Sequence, residues 1–171
     1  LIDAFKLIRE RGVQAQLLIA GEFWEDYTQY QAQIRSLGLA DFVHIVNDYI
    51  PDDAAADFFE AADLFIAPYI GGTQSAALKT ALGFGLPAVA TEVIKDAMLL
   101  NIPERCRFVP AADAEALADA IIKQLGKPIL GGSEVTQMLE ESWQPMITAV
   151  INGPQADEIT SGSNDAKESA I

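Results

Sequence analysis

The chain has one cysteine and one histidine, so it offers little to disulfide or soft-metal chemistry. Cys106 has no second cysteine to pair with, which fits a reducing compartment, and a cytoplasmic protein is expected. A zinc-type site needs several Cys or His ligands at close spacing; with one of each, neither a metal nor any other cofactor is expected. Basic residues are also scarce. There are 11 Lys and Arg against 25 Asp and Glu, a formal net charge of −14. A surface of that sign repels nucleic acid and anionic membrane, so neither is expected as a partner, and any membrane contact would have to come through another domain. Small anions remain possible ligands, because local N–H groups can hold them. No apolar run reaches the roughly 18 residues that span a bilayer, and no repeat recurs at a fixed period. What the chain does have is apolar content. Half of its 171 residues are hydrophobic, enough for one globular domain with a real core.

The first residues read as a helix, with Leu1, Ala4, Phe5, Leu7 and Ile8 at helical spacing and Gly12 as its stop. There is no initial Met or leader peptide, so the chain is expected to be a piece of a longer protein with a domain upstream. Residues 1–150 read as one domain. Residues 151–171, rich in Ser, Gly and Asp, read as a flexible acidic tail, since they hold too little apolar surface to offset ordering entropy.

Between these ends, apolar strands alternate with helical patterns. The strands are Gln16–Ala20, Phe42–Val46, Leu64–Ala67, Ala88–Thr91 and Arg107–Val109. They are short and continuously apolar, as strands buried on both faces read. The helices fall at 26–37, 52–62, 74–84, 93–100, 113–125 and 134–150. Gly38 ends the first of these, and Pro51-Asp52-Asp53 opens the second with carboxylates where the dipole favours them. This alternation predicts a three-layer α/β/α sandwich around a parallel sheet with right-handed crossovers.

Residues 71–91 are the most informative stretch. Gly71-Gly72 lead into Thr73-Gln74-Ser75, a helix follows to about Phe84, Gly85 stops it, and an apolar strand comes next. Thr73 and Ser75 are both good N-caps. A helix that opens out of glycines presents unpaired N–H groups and the positive end of its dipole, a ready phosphate site. In an open parallel sheet such a helix start lies at the carboxyl ends of the strands, where ligands bind. Gly21-Glu22 and Asn47-Asp48-Tyr49-Ile50 also follow strands and belong to the same candidate edge.

Taken in order, Leu1-Ile2-Asp3-Ala4-Phe5, Leu18-Ile19-Ala20-Gly21-Glu22, Tyr49-Ile50-Pro51, Ala61–Tyr69 and Gly85–Thr91 resemble the C-terminal domain of retaining glycosyltransferases of the glycogen-synthase-like GT-B group (family 4). The resemblance covers residues 1 to 150. Thr73-Gln74-Ser75 after Pro68-Tyr69 resembles a subgroup with a Thr-Gln-Ser-Gly turn there. The resemblance implies a Rossmann-like domain that binds a UDP- or GDP-linked sugar, with the acceptor held by the N-terminal domain upstream. It implies a nucleotide-sugar site of Gly21, Glu22, Asp48, Tyr49, Ile50, Tyr69, Gly72, Thr73, Gln74, Ser75 and Thr80.

The chain departs from the family at several positions. Two glutamates eight residues apart usually flank this turn; aligned on Leu82–Pro87, they fall at Gly72 and Thr80. Gly72 offers only backbone, and Thr80 a single hydroxyl. The Arg and Lys that hold the diphosphate in the family would lie upstream of Leu1. Ile94-Lys95 replaces a usual Gly-Gly, and Leu100–Glu104 replaces an Asp-Gly-rich turn. No residue reads as a general base, and the catalytic residues stay unassigned. His44, inside an apolar strand, reads as a core histidine, because a catalytic one needs a partner in reach. Cys106 reads as a small buried hydrophobe, Lys79 as a solvated lysine, and Trp143 with Met138, Leu139, Met146 and Ile147 as a packing face. The alternative to a transferase is a non-catalytic binding or interaction domain of the same descent. A flavodoxin-like phosphoacceptor would need aspartates clustered at strand ends, which Ala67-Pro68 and Thr91-Glu92 do not supply.

Overall fold

The computed structural model describes residues 1–95 and 97–152. Five strands, β1 (Leu17–Ala20), β2 (Val43–Val46), β3 (Phe65–Ala67), β4 (Ala88–Thr91) and β5 (Cys106–Val109), alternate with helices. These are α1 (Ile2–Glu10), α2 (Thr28–Ser36), α3 (Asp52–Glu60), α4 (Ala76–Gly83), α5 (Ala97–Leu100), α6 (Ala114–Gln124) and α7 (Gly132–Asn152). Every expected element is present with small shifts at its ends, apart from one expected helix. The stretch read as 93–100 is a 3₁₀ turn, Glu92–Ile94, followed by the short α5. Helix α7 extends to Asn152; the rest of the stretch expected to be a flexible tail lies outside the described residues.

All strand pairs are parallel, as predicted, but they form two ladders rather than one continuous sheet. β1 pairs with β2, in register Leu17 opposite Val43. β3, β4 and β5 pair in that order, with Ala88 between Phe65 and Cys106. Both ladders contribute to one core. Leu17, Val43, Val89 and Val109 pack there with Ile2, Phe5 and Ile8 of α1 and Leu117 and Ile121 of α6.

Strand alternation then divides the β3–β5 ladder between two cores. Val89 faces α1 and α6, while Ala88 and Ala90 face the opposite side. There they meet Leu78 and Leu82 of α4, Leu99 of α5, and Val135 and Met138 of α7. This half of the molecule is the expected three-layer sandwich, and β4 is buried at every residue. The β1–β2 ladder differs. Its alternate residues, Leu18 at 46% exposure and His44, face outward. The reading of these two strands as buried on both faces, and of His44 as a core residue, is therefore corrected. His44 Nε2 meets Gln16 Oε1 at 3.0 Å on the exposed side of the ladder.

The end of α4 shows why Gly85 was legible as a stop. The Gly85 N–H donates to Leu82 O and the Leu86 N–H to Ala81 O. This is a Schellman closure, which needs a left-handed residue, and Gly85 has φ +76°.

Candidate functional site

The helix start that the sequence singled out is built by Ser75. Its backbone is extended, φ −135° and ψ 109°, and its Oγ accepts the Leu78 N–H at 3.0 Å. Ser75 is thus the N-cap of α4, and Thr73 lies two residues outside the helix. Of the two cap candidates only Ser75 serves, because Thr73 sits in the exposed turn. Ile70, Gly71, Gly72, Thr73 and Gln74 are all exposed. Gly72 has φ +129°, a conformation that side chains with a Cβ rarely adopt.

This turn is anchored at both ends. Thr91, the last residue of β4, donates from Oγ1 to the Tyr69 carbonyl at 2.6 Å. The Tyr69 hydroxyl lies 3.3 Å from Ser75 Oγ. Tyr69 and Ser75 are therefore brought together as the sequence suggested. Thr80 is not part of this group; it lies on an exposed face of α4, beyond the first turn.

A second group forms at the carboxyl ends of β1 and β2. Gly21, φ +137°, donates its N–H to Val46 O at 3.0 Å, and Asn47 Oδ1 accepts the Phe23 N–H at 3.0 Å. The two loops are thereby tied side by side. Glu22 is exposed. Asp48 accepts the N–H of Tyr49 at 2.8 Å, a local turn contact. Tyr49 stands out at 68% exposure, and Ile50 is half-buried just before Pro51 opens α3. Further along the first loop, Phe23 packs on Tyr27 and Tyr30. Hydrogen bonds from Thr28 hold the Asp26 carboxyl below its ordinary value. Among the described residues, no hydrogen bond joins this group to Tyr69–Ser75.

Sequence reasoning passed over Trp24 and Thr91, and it placed Asn47 on the candidate edge without a role for its side chain. Asn47 acts through its side chain as the bridge between loops. Trp24 is 96% exposed in the loop after β1. Thr91 is buried; a hydroxyl closing an otherwise aliphatic strand was the signal that could have found it. Among the described residues, no group of three or more His, Cys, Asp or Glu is arranged to hold a metal ion.

Comparisons with known proteins give a family from sequence and a shared fold from structure. The family model described as glycosyl transferases group 1 matches residues 1–127. A phosphatidyl-myo-inositol mannosyltransferase from Mycobacterium leprae (strain TN) is 32% identical over 131 residues, 76% of this chain. The match takes in 34% of that relative, so the chain spans about a third of its length. Among solved structures, a sucrose-phosphate synthase from Thermosynechococcus elongatus superposes with a TM-score of 0.66 at 21% identity, over 88% of this chain and 40% of that one. The C-terminal domain of a glycosyl transferase group 1 protein from Francisella tularensis superposes at 0.65 with 11% identity, over 87% and 76% of the two chains. HepE from Anabaena, solved in complex with UDP, superposes at 0.63 with 15% identity, over 88% and 44%.

Proposed function

The chain belongs to the group 1 glycosyl transferases, and from that premise we propose that it is the donor half of a retaining transferase. In this reading it binds the diphosphate of a UDP- or GDP-linked sugar at the start of α4. The observation that carries the proposal is the Ser75-capped helix opening behind the exposed turn Ile70–Gln74. The first turn of α4 has N–H groups without intrahelical partners, and its dipole favours an anion. We place the Gly21–Glu22 and Asp48–Ile50 loops on the same edge, facing the sugar and base, because both follow parallel strands. Tyr69, Gly72, Thr73, Gln74 and Ser75 would contact the diphosphate side. Thr80 is the weakest member, since it sits on the exposed face of α4. The acceptor would be held by a domain upstream of Leu1. Catalysis would rest on positioning and on stabilising the charge of the departing diphosphate.

A second reading has specific support. Gly72 and Thr80 stand where the family carries glutamates, which favours a domain that binds nucleotide without transferring sugar. Screening the full-length protein against a panel of nucleotide-sugars separates the two. Donor hydrolysis or transfer with one sugar supports the enzyme; tight binding without turnover across the panel supports the binding domain. Absence of nucleotide binding to the full-length protein would overturn both. For the 171-residue chain alone, calorimetry should show a dissociation constant in the high-micromolar range or weaker. Charge-assisted bonds to phosphate are about twice as strong as neutral ones, and a net charge of −14 opposes an anion at long range. Sub-micromolar binding by this chain would contradict that expectation.

A further inference from the structure

Thr91 is only 3% exposed at the end of β4. A buried hydroxyl without a partner is costly, so its bonds matter. Its Oγ1 donates to Tyr69 O at 2.6 Å and lies 3.5 Å from Ala67 O. Tyr69 in turn reaches Ser75 Oγ with its ring hydroxyl, and Ser75 Oγ holds the Leu78 N–H. Three contacts thus run from the last residue of β4 into the first turn of α4, while the five residues of the intervening turn are exposed. We propose that Thr91 is a positioning residue. By fixing the Tyr69 carbonyl it sets the Tyr69–Ser75 hydroxyl pair, and with it the first turn of α4, in the geometry that receives a phosphate-class anion.

A count of protons shows what the pair offers. Ser75 Oγ already accepts from Leu78. The two hydroxyls carry two protons between them, and their mutual bond uses one. When Ser75 donates to Tyr69, the Tyr69 proton is left free to point outward from the exposed ring to an anionic oxygen. That donor is aimed only if the Tyr69 ring is held, and Thr91 holds the backbone from which the ring projects. The ligand part of this inference rests on the diphosphate reading given above; the positioning part does not.

The test compares Thr91→Val, which keeps the shape and deletes the donor, with Thr91→Ser, which keeps the donor. Both are made in the full-length protein. Amide hydrogen exchange without ligand is read at Ser75–Leu78, and UDP and GDP affinity by calorimetry. Exchange at these amides should rise about tenfold in Thr91→Val, the scale of one lost hydrogen bond, and stay near wild type in Thr91→Ser. Nucleotide affinity should fall about tenfold in the first and within about twofold in the second. Thr91→Ala gives the same comparison if the valine variant does not fold. A purely structural Thr91 would lower the melting temperature and leave local exchange and affinity untouched, which overturns the proposal. If exchange responds but neither nucleotide binds the wild-type protein, the diphosphate reading falls and the positioning role stands.

Discussion

A methyl group added at Gly85 would meet the Leu130 carbonyl oxygen at 2.2 Å. It would also sit on a backbone with φ +76°, where a Cβ costs about 1–2 kcal/mol. The Gly85 carbonyl has two donors: Leu130 N–H at 3.0 Å and the Arg105 guanidinium. Arg105 is itself buried, and burial lowers its pKa, with Glu134 acting in the opposite sense. Moving Gly85 would therefore disturb a buried cation as well as a helix stop. Gly85→Ala should destabilise the domain by about 2–4 kcal/mol, combining the left-handed strain with overpacking. Chemical denaturation measures this directly, and a loss under about 1 kcal/mol would show that the Leu130 segment yields freely. The sequence revealed the helix stop, because glycine after an apolar helix is a local signal. The close approach of Leu130 depends on how a distant segment crosses, which no local pattern carries.

Caps show the same division at the level of elements. Asp113 and Ser75 each accept an N–H from the residue three places on, Ala116 at 2.9 Å and Leu78 at 3.0 Å. Replacing either by alanine should cost about 1 kcal/mol, a fall in melting temperature of about 2–4 °C for a chain of this size. Thr73→Ala should shift it by far less, because Thr73 is outside the helix. Equal losses from Thr73→Ala and Ser75→Ala would contradict the assignment of the cap. Sequence alone left these two positions open, since both are cap-forming residues before the same helix. The choice falls to Ser75 through its extended backbone and its contact with Tyr69. The strands show a related limit. β1 and β4 both read as continuous apolar runs, yet β4 is wholly buried while Leu18 of β1 is half-exposed. A period-2 element declares which residues share a face, not whether both faces find a cover.

For the whole molecule, charge and unpaired edges act together. The sequence pI is about 4.2, so the charge of −14 at neutral pH vanishes near that value. Among the described residues, β1, β2, β3 and β5 each pair with a single strand, so each has an edge without a strand partner. Open edges template association, and net charge is what opposes it. The 171-residue chain should therefore scatter light strongly near pH 4.2 and much less at pH 7, with association increasing with concentration. A monodisperse sample at pH 4.2 across the accessible concentration range would show that the edges are protected. The partly exposed Trp143 and Ile147 on α7 add apolar surface to the same tendency. Of the packing face expected on that helix, Met138 is buried, whereas Trp143 and Ile147 lie on the exposed side.

The order of strands and helices, the parallel direction of pairing, the stop at Gly85 and the membership of the glycosyl transferases group 1 were all legible in the sequence. Each depends on local chemistry or on an ordered set of short motifs. The glycine turn before α4 was legible as a stretch, because glycines before a capped helix are a local arrangement. Tertiary structure alone decided which residue caps α4, that Thr91 grips the Tyr69 carbonyl, that Asn47 ties two loops together, and that the strands divide into two ladders over a shared core. The reason is physical. Periodicity and capping arise from contacts within a few residues, whereas a hydrogen bond between Thr91 and Tyr69 exists only once two strands have been laid side by side.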